Sequence, residues 1–90
     1  MKFIYDLAKN DSNLQKHGLP LSEAKFLDWD AALKWIDRRK DYSEERCVAL
    51  VPMKQRLYCV VYVESKANIR IISLRKANNR EIDKYEEENY

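Results

Sequence analysis

The run Ile69-Arg70-Ile71-Ile72-Ser73-Leu74-Arg75 constrains the fold more than any other stretch. Read in steps of two, it puts Ile69, Ile71 and Ser73 on one face and Arg70, Ile72 and Leu74 on the other. Both faces are largely apolar, which suits a central strand covered on both sides rather than an edge strand. Arg70 interrupts the pattern. A guanidinium in a buried strand is costly unless it meets a carboxylate or a phosphate, so Arg70 reads either as a paired core charge or as an anion site.

The remaining chain is organised around that strand. Lys2–Tyr5 reads as a first strand with Phe3 and Tyr5 on one face, and not as a secretory signal. Asp6 is placed to cap a helix ending near His17, and Gly18, the only glycine in the chain, suits its left-handed stop. On that helix Lys9, Asn13 and His17 share one face, the spacing of a solvated polar stripe, while Leu7 and Leu14 point elsewhere. Pro20 opens a second, short helix from Leu21 to about Leu27, with Ala24 and Leu27 toward the core. After a loop at Asp28–Asp30, Ala32–Asp37 reads as a strand with Leu33 and Trp35 on one face. Arg46–Val51 reads as a strand closed by Pro52, which cannot donate to a ladder. Met53–Arg56 is then a turn. Leu57–Glu64 alternates Tyr58, Val60 and Tyr62 with Cys59, Val61 and Val63. The short polar loop Ser65–Asn68 makes this strand and the Ile69 run antiparallel neighbours. A last helix runs from Asn79 to about Asn89, using Ile82 and Tyr85 as its apolar contact. The order β-α-α-β-β-β-β-α describes an α+β fold: a small antiparallel sheet with N-terminal helices and a C-terminal helix, the helices mainly on one face, in one domain over residues 1–90.

Composition narrows the chemistry. The 90 residues carry a net charge of +2, but it is unevenly spread. Residues 1–80 hold 16 Lys and Arg against 10 Asp and Glu, a balance of +6, and residues 81–90 hold one Lys against five acids, −4. A basic body permits an RNA ligand without demanding one. No apolar run approaches membrane-spanning length, so a cytoplasmic location is expected and no membrane partner. A single glycine leaves no glycine-rich phosphate loop. Cys47 and Cys59 lie in apolar strand-like runs with no histidine at ligand spacing, so they read as buried reduced thiols, and no metal site or cofactor is expected. What remains is a set of cations and carboxylates: Lys9, His17, Glu45, Arg46, Arg70 and Arg75, with Tyr62 and Tyr85. Such a set suits RNA cleavage by attack of the ribose 2′-hydroxyl on its own phosphate. That reaction needs a base, an acid and fixed cations to offset the phosphorane charge.

The pattern Phe3-x-Tyr5-Asp6-x-x-Lys9-x-x-x-Asn13-x-x-Lys16-His17-Gly18, followed by Glu23-Ala24, Arg39-Lys40-Asp41-Tyr42-Ser43-Glu44-Glu45-Arg46, Arg70-Ile71-Ile72-Ser73-Leu74-Arg75-Lys76-Ala77 and Glu81-x-x-x-Tyr85, closely resembles the BrnT toxins. Tyr5 stands where that family commonly has Trp, Pro20 where it has Ser or Thr, and Val51 where it often has Gly. The resemblance implies a RelE-like fold and an endoribonuclease of a type II toxin–antitoxin pair that arrests translation and growth. It implies neutralisation by a BrnA-like antitoxin of ribbon-helix-helix type, and operator DNA reached only through the toxin–antitoxin complex. Carried over by position, Lys9, His17, Glu45, Arg70 and Arg75 become catalytic candidates, and Arg46 and Tyr85 RNA-binding candidates. Arg70 and Arg75 would hold the scissile phosphate, Glu45 or His17 would serve as base or acid, and Lys9 would support transition-state charge. Tyr85 would orient an arginine or stack a base. Two other readings remain, a non-catalytic RNA-binding module and a structural partner of an antitoxin with Glu45 and the arginines in a buried ion network. One geometric condition attaches to the catalytic reading. In an unbroken strand Arg70 and Arg75 face opposite sides, so both reach one phosphate only if the chain bends after Ser73 or leaves the sheet there.

Overall fold

The computed structural model describes residues 2–39, 41 and 43–88. Lys40 and Tyr42, part of the family-like pattern, and Asn89, the expected end of the last helix, lie outside them. The central strand forms as β5, Asn68–Lys76, between β1, Lys2–Ile4, and β4, Arg56–Glu64. β3, Cys47–Met53, and β2, Leu33–Ile36, complete a five-stranded sheet ordered β1-β5-β4-β3-β2. β2 to β5 pair antiparallel, as the short loops between β3, β4 and β5 require, whereas β1 lies parallel to β5. The sheet is therefore mixed. β1 leads straight into a helix, so no hairpin reverses it before it meets its partner.

That helix, α1, spans Leu7–His17 and has the caps its sequence calls for. The Asp6 carboxylate accepts from the Lys9 backbone N–H at 3.0 Å, and Gly18 at φ 76° donates its N–H to the Leu14 carbonyl at 2.8 Å. The segment expected as a second α-helix is a 3₁₀ helix, Leu21–Phe26, with no side-chain cap from Pro20, and a further 3₁₀ turn covers Trp29–Ala31. Pro52 does not close β3; the strand continues to Met53. β2 pairs only with Cys47–Leu50, so at Pro52 the outer side of β3 has no strand waiting for a donor. The Pro52 carbonyl instead accepts from the Asp28 N–H at 2.9 Å.

Two apolar clusters sit on the two faces of the sheet. On one face Ala49, Val51, Val60, Tyr62, Ile69, Ile71 and Leu74 pack against Leu21, Ala24 and Leu27 of the 3₁₀ segment, with Phe3, Tyr5 and Trp29 around them. Trp29 meets the Tyr62 ring edge-on at 5.3 Å, and its indole N–H donates to the Ala24 carbonyl. On the other face Val48, Leu50 and Cys59 are covered by Leu33, Trp35, Leu57, Val61, Ala77 and Tyr85. The helices thus cover both faces, not mainly one. α2, Asn79–Glu88, starts just after β5 ends and folds back over the second cluster, which is as apolar as the first and would otherwise lie in water. Both cysteines are free; burial pushes the Cys59 thiol up to about 11, which keeps it protonated at neutral pH.

The polar stripe of α1 is not wholly solvated. Asn13 is buried, and its side-chain amide takes the place of a neighbouring strand beside β5. Its Nδ2 donates to the carbonyls of Leu74 and Leu19, both at 2.7 Å, and its Oδ1 accepts from the Leu74 N–H at 3.3 Å. β1 is too short to pair with this part of β5, so without Asn13 the Leu74 peptide would be buried and unpaired. Asn13→Ala is therefore expected to lower unfolding stability by about 3 kcal/mol, read from the urea midpoint. Asn13→Asp, which keeps the shape but cannot donate to either carbonyl at neutral pH, should lose a comparable amount.

Candidate active site

The two arginines of β5 share a face after all, and by a different route from a bend after Ser73. Val63 pairs with Arg70, Val61 with Ser73 and Cys59 with Arg75, while the register shifts between Val61 and Tyr62. The extra residue is Ile72, which has no partner on β4. This bulge moves every later side chain to the opposite face. Leu74 turns into the core under α1, and Arg75 joins Arg70 on the face that carries α2. The strand stays in the sheet to Lys76. Four β4 residues separate the two pairing positions, so the arginine Cα atoms stand about 13 Å apart.

Around Arg70 the chain gathers three of the expected groups. Lys9 and Arg70 line one hollow of about 330 Å³, with Tyr5, Asp6 and Ile72 on its walls. The Arg70 guanidinium pairs with Glu44, and both side chains remain about two-fifths exposed, at 38% and 40%. Glu44, Glu45 and Arg46 line a neighbouring hollow of about 530 Å³ formed by the loop between β2 and β3. That loop is held at its root by Asp37, whose side chain is 1% exposed and takes a bidentate bond from Arg39 at 2.9 Å. The Asp37 N–H also donates to the Arg46 carbonyl at 2.8 Å.

Arg75 belongs to a second group. Its guanidinium meets Glu81 bidentately at 2.8 and 2.9 Å, and Trp35, Arg39, Val48, Cys59 and Val61 complete a hollow of about 120 Å³. Glu81 also accepts from the Asn78 N–H, while Asn78 Oδ1 accepts from the Glu81 N–H, a reciprocal cap at the start of α2. The Arg75 hydrogen bonds hold the Glu81 carboxyl below the usual range. Glu81 in turn raises Arg75.

Two candidates stand apart from both groups. His17 lies at the far end of α1, eight residues and about 12 Å from Lys9. Tyr85 packs in the cluster under α2, and its hydroxyl donates to the Ala31 carbonyl at 2.7 Å, which makes it an anchor for the helix. Glu44 and Arg39 enter the site although neither was a candidate. Each lies within the Arg39–Arg46 motif, but only the fold shows which of its charges reach β5. The Asn78-x-x-Glu81 spacing is a capping signature and could have been read directly. Among the described residues no group of three or more His, Cys, Asp or Glu is placed to hold a metal ion, and no helix is long and apolar enough to cross a membrane.

The fold is α+β, with Arg70 and Arg75 on one face of its sheet, Lys9 at the edge beside Arg70, and carboxylates against both arginines. A family model described as the ribonuclease toxin BrnT of type II toxin–antitoxin systems matches residues 5–81. The chain belongs to that family: it is a ribonuclease toxin, with RNA as substrate and an antitoxin as partner. The comparison with curated proteins gives no match.

The Glu81 carboxyl sits below its ordinary value of 4.5 when folded, so its share of stability is present above that value and is lost as pH falls through the lowered one. Glu81→Gln keeps an oxygen for the Asn78 cap and removes the charge facing Arg75. It should cost about 1 kcal/mol at pH 7, the pair being partly open to water. Thermal melts from pH 7 down to 3 should fall less steeply for this variant than for the unaltered chain.

Proposed function

We propose that this toxin is a metal-independent endoribonuclease acting in the cytoplasm as a single domain, residues 1–90. It cuts RNA, blocks translation and growth, and is neutralised by a ribbon-helix-helix antitoxin of the BrnA kind, through which alone it reaches operator DNA. The observation that supports this most is the meeting of Lys9 and Arg70 at one hollow with the Glu44 carboxylate on the guanidinium.

In this reading the scissile phosphate enters between Lys9 and Arg70 and displaces Glu44. A pair exposed to this extent is worth about 1 kcal/mol or less, so an entering phosphate that accepts charge-assisted bonds can replace it. The released carboxylate, or that of Glu45 beside it, takes the proton of the ribose 2′-hydroxyl as the oxygen attacks phosphorus. Arg70 and Lys9 offset the charge of the phosphorane. The bond from phosphorus to the 5′-oxygen then breaks, and the Lys9 ammonium gives that oxygen its proton. The products are a 2′,3′-cyclic phosphate and a free 5′-hydroxyl. Arg75 and Arg39 meet the strand further along the same face, where Arg46 lines the approach from the loop. His17 is too far from Lys9 for this proton transfer, and Tyr85 serves by holding α2.

The test is cleavage of a defined RNA in EDTA. Cyclic-phosphate ends are expected, and a 2′-deoxy substitution at the cut position should abolish the cut. Arg70→Ala should lower the cleavage rate by about 10²- to 10³-fold with little change in melting temperature. Tight RNA binding without cleavage would replace the enzyme with a binding module, and full activity in Arg70→Ala would remove that residue from the site.

A further inference from the structure

A second cationic surface lies at the opposite end of β5. Lys54 and Arg56 sit on the β3–β4 hairpin, Lys54 at its tip with φ 58°, and Lys76 ends β5 beside them. All three are exposed, and among the described residues none has an acid within ion-pair distance. They rim a hollow of about 380 Å³ whose inner wall is apolar, made by Leu57, Ala77 and Ile82. This differs from the proposed phosphate seat, where the Arg70 guanidinium already carries the Glu44 carboxylate. It also lies about 17 Å from Arg70 along β5, six residues with one taken up by the bulge.

We propose that this hollow is the seat of the antitoxin, occupied by an amphipathic segment whose apolar edge fills the space against Leu57, Ala77 and Ile82 and whose acidic edge meets Lys54, Arg56 and Lys76. The proposal rests on the family's antitoxin partnership and not on the proposed catalytic roles. The chemistry favours a protein segment over RNA: an apolar inner wall offers a phosphate backbone nothing, while aliphatic side chains fit it and carboxylates suit the rim. The wall is also preformed. The Tyr85 hydroxyl is fixed to the Ala31 carbonyl, and the Ala77 N–H to the Leu57 carbonyl at 3.0 Å, so binding need not order them. Glu86, on the α2 side of the hollow, calls for a basic residue on the facing edge of the segment. That sets the segment's orientation.

The experiment uses the full chain and its cognate antitoxin, with affinity measured by titration calorimetry and neutralisation by co-expression. In the triple variant Lys54→Glu, Arg56→Glu, Lys76→Glu, antitoxin affinity should fall at least 100-fold and co-expressed antitoxin should no longer restore growth. RNA cleavage by the free variant should stay within twofold. The milder triple alanine variant should lose at least tenfold in affinity and flatten its dependence on salt, which keeps the test open if charge reversal unsettles the hairpin. Unchanged antitoxin affinity in both variants would overturn the proposal. Loss of RNA cleavage with neutralisation intact would overturn it in favour of an RNA-tracking surface. Because affinity is read without catalysis, a failure of the Arg70 assignment leaves this result interpretable.

Discussion

One side-chain amide holds the molecule's working edge in place. Asn13 meets both polar groups of the Leu74 peptide, two residues past the bulge, where β1 has already ended. An asparagine amide carries the same donor and acceptor as a backbone peptide, so α1 can stand in for a missing strand. The register of β5 beyond Ile72 is thereby fixed, since a slip would break both bonds as well as turn Leu74 out of the core. With that register set, Arg75 emerges on the face of Arg70, and Lys9, one turn before Asn13, comes to the hollow beside Arg70. Placement of the cations is thus a consequence of a hydrogen bond made by an uncharged residue.

The charges divide by what surrounds them. Arg75 and Arg39 are each held by an acid that has a structural duty of its own, Glu81 at the start of α2 and Asp37 at the root of the loop. Those bidentate bonds fix the orientation of both guanidiniums. Arg70 instead pairs with a loop glutamate that is as open to water as the arginine itself. The same fold therefore holds some cations against partly or fully buried acids and leaves Arg70 in a pair open to water.

Much of this was legible beforehand, for local reasons. The Asp6 and Gly18 caps, the alternation in β4 and the tight connection from β4 to β5 each depend on a few adjacent residues, and the elements follow them. What was not legible is what depends on distant contacts. Nothing in Ile71-Ile72-Ser73 marks a bulge, because Ile72 becomes the extra residue only through its pairing with β4. Asn13 reads as one more polar residue on a helix until β5 is brought against it. Pro52 looks like a stop to β3 unless one knows that β2 ends at its level. The family pattern supplied a list of positions, but only packing shows that Lys9 and Arg70 share one hollow while Tyr85 packs under α2.

The parallel pairing of β1 with β5 carries a consequence for synthesis. Ile4 meets Arg70, 66 residues later, and the hollow beside them needs Tyr5 and Lys9 from one end of the chain and Arg70 to Ile72 from the other. A ribosome making this protein must release β5 before those parts can come together. A nascent chain that stops short of β5, however long it pauses, lacks one wall of the hollow.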